Sequence, residues 1–131
     1  MNTNLRLVLI LAACLAAAGC GAGSRPIPKT TLPSGRQISV LSLNKAFFSK
    51  DSPALWLKYQ TDISLDDLPA LQTEVNDVWE SFRSDVEKAG LVNAMITAQE
   101  PLKGGIIKKG RMYTFVFRKQ NDGTWKQSEK K

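Results

Sequence analysis

The stretch DLPALQTEVNDVWESFRSDVEKA, residues 67–89, decides the fold of this chain. Its apolar side chains recur at spacings of three and four residues, which places them on one face of an α-helix. Asp67 can cap the first turn, Pro69 fits only a first turn, and Gly90 follows as a stop signal. One long amphipathic helix is therefore predicted over residues 67–89. Its apolar positions are Leu68, Leu71, Val75, Val78, Trp79, Phe82, Val86 and Ala89.

Shorter segments on both sides of this helix have the composition and alternation of β-strands. The clearest is residues 111–119, in which Tyr113, Phe115 and Phe117 share one face, and the Asp122-Gly123 pair after it predicts a tight turn. Two strands precede the helix and three follow it. We therefore expect an α+β fold with the helix packed on an antiparallel sheet of four to five strands. The predicted strands are residues 37–43, 54–61, 91–99, 111–119 and 124–127.

The composition bounds both the size and the chemistry of the protein. A chain of 131 residues with a net charge of +6 is long enough for a single domain. It contains no histidine, which excludes histidine-based catalytic triads and histidine-ligated zinc. Both cysteines, Cys14 and Cys20, lie near the N-terminus, so the rest of the chain has neither a disulfide nor a thiol nucleophile.

Carboxylates are the remaining candidates for chemistry. Paired carboxylates such as Asp66 and Asp67 can support acid–base catalysis or bind a hard cation. An amphipathic helix needs a polar face whatever its function, so we interpret the acidic residues as a solvated face. We accordingly predict no catalytic residues, no metal, no cofactor and no enzymatic activity. The helical carboxylates are Glu74, Asp77, Glu80, Asp85 and Glu87.

The N-terminus has the layout of a secretory signal. Residues 1–6 are polar with one positive charge, and residues 7–18 are almost entirely apolar. This run is shorter than the about 20 residues that cross a bilayer as a helix. The small residues Ala16 to Ala18 would also suit ordinary signal cleavage, in which case Cys20 would have no role in the mature protein.

Residues Ala17-Ala18-Gly19-Cys20 resemble the lipobox of bacterial lipoproteins, with Ala17 standing where leucine is usual. The resemblance implies a signal peptide over residues 1–19, cleavage before Cys20 and a lipid on its sulfur. Gly21, in place of the aspartate that commonly retains lipoproteins in the inner membrane, implies an outer-membrane lipoprotein facing the periplasm. The alternative, Cys14, has a leucine three residues before it but would leave an apolar segment of only about seven residues.

Residues 20–36 are rich in Gly, Pro, Ser and Thr, and contain only Ile27 and Leu32 as large apolar residues. Such a segment buries too little surface to offset its chain entropy. We therefore predict a flexible tether over residues 20–36 and a single domain over residues 37–131.

Basic residues are concentrated after Pro101. They predict contacts with an anionic partner, which could be lipid, an envelope polymer or an acidic envelope protein. Nucleic acid is not expected as a partner of an exported, lipid-anchored protein. The alternative is that the cations only protect edge strands from pairing with other chains. The candidate contact residues are Lys108, Lys109, Arg111, Arg118 and Lys119.

The segment YTFVFRKQNDGTWKQ, residues 113–127, resembles the last hairpin of cystatin-like and nuclear-transport-factor-like α+β domains. The resemblance implies an antiparallel ending to the sheet and carries over no pocket residues. We expect a non-enzymatic, lipid-anchored binding or accessory module of the cell envelope. The alternative function is an inhibitor or immunity-type protein that blocks a periplasmic enzyme.

Overall fold

The computed structural model describes residues 28–128, which form one helix and a six-stranded sheet. The α+β class predicted from the sequence is confirmed. In chain order the elements are β1 (Lys29–Thr31), β2 (Gln37–Phe47), β3 (Pro53–Gln60), α1 (Leu68–Lys88), β4 (Asn93–Gln99), β5 (Met112–Lys119) and β6 (Trp125–Ser128).

Helix α1 begins and ends where the sequence predicts. The Asp67 carboxylate accepts a hydrogen bond from the Ala70 N–H at 3.2 Å, and a proline occupies the first turn. At the other end, the Ala89 N–H donates to the Asp85 carbonyl at 3.0 Å. Gly90 follows with a φ of +70°, a left-handed conformation that stops the helix at little cost only for glycine.

The sheet differs from the prediction in strand number and in direction. Its order is β1-β2-β3-β4-β5-β6, and β3 and β4 are parallel whereas all other neighbours are antiparallel. The expected antiparallel sheet of four to five strands is therefore corrected to a mixed sheet of six. The parallel pair arises because α1 carries the chain from the end of β3 back to its beginning, so β4 runs in the same direction.

The additional strand, β1, lies inside the segment predicted to be a tether. Its residues Lys29 to Thr31 pair with Gln37 to Ser39 of β2. Leu32, which follows, is only 4% exposed. The folded domain therefore begins at or before Lys29 rather than at residue 37. The predicted signal peptide and the first part of the predicted tether lie outside the described residues.

The hydrophobic core lies between α1 and one face of the sheet. Alternation brings Tyr59 from β3, Ile96 from β4 and Phe117 from β5 to this face. Trp79 of α1 stacks on Phe117 with ring centroids 4.3 Å apart, and Trp125 of β6 meets Trp79 edge-on at 4.9 Å. These aromatic contacts join the helix to the last two strands.

The opposite face of the sheet has no covering layer among residues 28–128. At its centre Trp56 of β3 donates from Nε1 to the Thr97 hydroxyl at 2.8 Å. The Thr97 hydroxyl also lies 2.7 Å from that of Thr114. These hydrogen bonds link the Trp56 indole to the hydroxyls of Thr97 and Thr114 across β3, β4 and β5. The sheet is therefore packed against α1 on one side, whereas the other side carries a mixture of polar side chains and apolar ones such as Met95 and Val116.

Candidate functional site

A buried carboxylate ties the first half of α1 to the sheet. Glu74 is 6% exposed, and its Oε1 accepts hydrogen bonds from the hydroxyls of Tyr59 at 2.9 Å and Thr61 at 2.6 Å. Its Oε2 accepts from Arg36 Nη1 at 3.0 Å. Both carboxylate oxygens are thus bound by the protein's own groups, as the burial of a charge requires. We call these four residues the Glu74 cluster.

The position of Glu74 corrects one sequence interpretation. From the sequence Glu74 was interpreted as a solvated carboxylate, whereas it is buried against the sheet. The helical spacing contained the signal, because position 74 is three residues after Leu71 and four before Val78, on the apolar face. A neighbouring contact supports the same tie, since the Ser34 hydroxyl donates to the Asp77 carboxylate. The turn between β1 and β2 is thereby joined to the helix.

Tyr59 should make the domain less stable as the pH rises into the alkaline range. Burial, and then the negative charge and hydrogen bond of Glu74, raise the pKa of the Tyr59 phenol above its usual value. Because this pKa is raised by folding, the stabilisation is complete below the unfolded value of about 10 and is lost as the pH rises above it. The loss should be about 1.4 kcal/mol per pH unit.

Tyr59→Phe should therefore be less stable than the wild type at neutral pH, and this difference should disappear at alkaline pH. At pH 8 we expect the free energy of unfolding of the variant to be about 1 kcal/mol lower than that of the wild type, because one hydrogen bond is lost. Above pH 10 its stability should fall less steeply than that of the wild type, and the two curves should meet near about pH 11. Urea unfolding across this pH range measures both slopes. Parallel curves would contradict the assigned role of Tyr59.

Arg111 holds the base of the connection between β4 and β5 by hydrogen bonds to Asp66 and Glu100, and we call these three residues the Arg111 clamp. Its Nη1 and Nη2 donate to the two carboxylate oxygens of Asp66 at 2.9 and 3.0 Å. Its Nη2 and Nε donate to the oxygens of Glu100 at 2.8 and 3.1 Å. The hydrogen bonds from Arg111 hold the pKa of each carboxyl below its usual value. The guanidinium thus joins the segment before α1 to both ends of the connection.

The β4–β5 loop, residues 100–111, rises from this clamp. In its stem the backbones of Lys103 and Lys109 exchange two hydrogen bonds of 2.9 Å. At its tip Ile106 and Ile107 are 105% and 71% exposed. Gly104 has a φ of +133°, and a Cβ there would collide with the Ile107 carbonyl oxygen. The loop therefore has a defined stem and an apolar tip, and its shape depends on glycine at position 104.

The five basic residues predicted to contact an anionic partner do not form one patch. Lys108 and Lys109 lie in the β4–β5 loop, and Arg111 is held in the clamp. Arg118 and Lys119 lie at the far end of β5, about 23 to 26 Å from Arg111 at the rise of an extended strand. Whether any of them binds an anionic partner stays a prediction. Cys20, the predicted lipidation site, lies outside the described residues.

The two distant cations have contacts of their own. The Arg118 guanidinium lies 5.5 Å from the ring centroid of Phe48, within cation–π range. Lys119 Nζ is 3.8 Å from Glu87 Oε1, and Glu87 also accepts a hydrogen bond from Trp125 Nε1 at 2.9 Å. The Trp125 hydrogen bond is the main reason why the pKa of Glu87 is lowered. Arg118 and Lys119 are therefore engaged within the domain.

A depression lies between α1 and β5 and has a volume of about 280 Å³. Leu68 and Tyr113 line it, together with the side-chain amides of Gln72 and Gln127, which donate to each other. Typical small-molecule pockets start at about 300 Å³ and are mainly apolar, so this depression lies at the lower limit of size and differs from them in its polar lining. Across residues 28–128, histidine, cysteine and acidic residues form no cluster of three or more suited to a metal. The same residues contain no helix long and apolar enough to span a membrane.

Comparison of the chain with protein-family models, with curated proteins and with solved structures gave no match. Both resemblances noted in the sequence, the lipobox and the cystatin-like hairpin, therefore stay predictions. Three features of the domain bear on its function: the β4–β5 loop, the Arg111 clamp and the Glu74 cluster. Of these, the loop directs unpaired side chains into solvent.

Proposed function

We propose that this chain is a non-enzymatic accessory protein of the bacterial cell envelope that binds an envelope partner through the β4–β5 loop. A lipid on Cys20 anchors it, on the periplasmic side of the outer membrane. The observation that carries the proposal is the exposure of Ile106 and Ile107 beside Lys108 and Lys109 on a clamped stem. Contiguous exposed apolar side chains with a polar rim are typical of interaction sites.

The distance between the proposed anchor and the domain supports a function at the membrane. Cys20 precedes Lys29, the first residue of β1, by nine residues. Even a fully extended chain of that length spans at most about 32 Å. The lipid would therefore keep the domain next to the bilayer, within reach of envelope components.

The bonding of the carboxylates supports a binding rather than a catalytic role. A general acid or base must exchange a proton with a substrate in a cleft. Glu74 is bound by three donors of its own chain, and Asp66 and Glu100 are bridged by Arg111. These groups stabilise the domain and the base of its loop.

The anchor is tested by Cys20→Ala in the native host. We expect complete loss of radioactive palmitate incorporation and accumulation of unprocessed precursor, because the acceptor sulfur is gone. Cys14→Ala is the matched control and should be labelled and processed like the wild type. Label that survives Cys20→Ala but not Cys14→Ala would move the anchor to Cys14. A wild-type protein that takes up no palmitate would refute the anchor.

A further inference from the structure

We propose that the β4–β5 loop inserts into an anionic bilayer. Ile106 and Ile107 enter the boundary between headgroups and acyl chains, and Lys103, Lys108 and Lys109 contact the lipid phosphates. This inference rests on the proposed envelope function, because it names the partner of the same loop. It adds a second membrane contact to the lipid on Cys20.

The apolar part of the loop tip has no partner in the domain. Ile106 is 105% exposed and Ile107 71%, and Leu102 on the rising side of the loop is 52% exposed. Three large aliphatic side chains within six residues thus face water, which disfavours them. Amphipathic helices that lie in the membrane interface combine such side chains with lysines, and the same chemistry is available to a loop. The composition of the loop tip matches that pattern.

The charge around the tip is positive, and only Lys103 acts on a carboxylate in the described part of the domain, since, after the hydrogen bonds of Arg111, its charge helps to lower the pKa of Glu100. Lys103 stands before the two isoleucines, and Lys108 and Lys109 stand after them. Among residues 28–128 none of the three forms an ion pair. The carboxylates at the base of the loop, Asp66 and Glu100, are both paired with Arg111. The loop therefore presents an apolar tip flanked by lysines that form no direct ion pair within residues 28–128, which suits an anionic lipid surface.

The shape of the tip favours a bilayer over a protein partner. A protein interface needs a matching pocket for each anchoring side chain and high shape complementarity. Ile106 projects without any neighbouring side chain that reduces its exposure, and the lysines flank it on both sides along the chain. A bilayer accepts aliphatic side chains in any orientation and offers phosphates all around them.

The topology places the loop within reach of the membrane that would hold the anchor. β4 and β1 are three strands apart, about 14 Å at the usual strand spacing. Lys29 pairs with Ser39, which in turn pairs with Gln60 at the end of β3, beside the start of the loop. The first strand, β1, thus begins at the same end of the sheet as the one from which the β4–β5 loop projects. Lipid and loop can contact one bilayer together, which raises the effective concentration of each for the membrane.

The experiment uses the full chain purified from membranes and reconstituted into phosphatidylcholine vesicles with or without phosphatidylglycerol. Ile107→Trp adds a fluorophore at the tip, and quenching by lipids with a doxyl group on the acyl chain reports its insertion. The unsubstituted protein supplies the signal of the native tryptophans. Val92→Trp is the matched control, because Val92 is 54% exposed but precedes β4, at the opposite end of that strand from the loop.

We expect strong added quenching for Ile107→Trp in phosphatidylglycerol vesicles, weak quenching in phosphatidylcholine alone, and none for Val92→Trp. In the Ile107→Trp background, replacing one lysine by glutamine should lower the ratio of inserted to free loop by about fivefold, and high salt should act in the same direction. Absence of added quenching in anionic vesicles would overturn the proposal and leave a protein as the partner of the loop. Equal quenching at positions 92 and 107 would overturn it as well.

The two proposals fail separately. Palmitate incorporation tests the lipid on Cys20, and quenching at position 107 tests the loop. A chain that takes up no palmitate but is quenched at position 107 would refute the anchor and keep the insertion. A chain that is labelled but not quenched would keep the anchor and refute the insertion.

Discussion

Trp79→Ala should lower the free energy of unfolding by about 3–5 kcal/mol, because it removes a large buried side chain between α1 and the sheet. Trp79 is 7% exposed and contacts Phe117 face to face and Trp125 edge-on. The sheet holds Phe117 in place, so the neighbours can collapse only partly into the cavity. Domains of this size have a total stability of about 5–15 kcal/mol, so the variant is expected to be close to unfolding.

Trp56→Ala is the matched control, since it removes the same side chain from the opposite face of the sheet. Trp56 is only half-buried there and makes one hydrogen bond, to Thr97, whose hydroxyl keeps its contact with Thr114. We expect a loss of less than about 2 kcal/mol. Urea unfolding followed by circular dichroism compares the two variants. Equal losses would contradict a core that lies on the helix-covered face alone.

Glu74→Ala should lower the free energy of unfolding by about 2–4 kcal/mol, because it leaves the hydroxyls of Tyr59 and Thr61 buried without their acceptor. Both residues are 2% exposed or less. Arg36 adds little to this loss, since its side chain is 41% exposed and can return to water. Chemical denaturation at neutral pH measures the change.

Two controls separate the buried bonds from helix propensity and charge. Glu80→Ala removes an exposed carboxylate from the same helix and should change stability by no more than about 0.5 kcal/mol. Combining Glu74→Ala with Tyr59→Phe should cost less than the sum of the single changes, because both remove the same hydrogen bond. A Glu74→Ala loss no larger than that of Glu80→Ala would show that the Glu74 cluster does not stabilise the domain.

The sequence predicted well those features that depend on neighbours in the chain. The helix was expected over residues 67–89 and is found at Leu68–Lys88, since its period, cap and stop signal all lie within the segment. The face predicted for β5 was also correct, because alternation is a local property of a strand. Strand β1 was missed, since its three residues are too few for a period and it forms only by pairing with β2.

The candidate site was predicted only in part. Lys108 and Lys109 were singled out from their charge, but nothing local indicated that Arg111 would be held by Asp66, 45 residues earlier. The separation of Arg118 and Lys119 from the loop, in contrast, follows from the strand predicted over residues 111–119. The exposure of Ile106 and Ile107 depends on what packs around them, which only the folded chain determines.

By itself the sequence determined the α+β class, the helix and the alternation of the strands. It also led to the hypothesis of a lipid on Cys20. Only the tertiary structure decided that β3 and β4 are parallel, that Glu74 is buried and that the β4–β5 loop carries an apolar tip on a clamped stem. The reason is physical. Helical period, strand alternation and caps depend on residues a few positions apart, whereas strand direction, burial of a charge and exposure of a loop depend on segments that meet only in the folded domain.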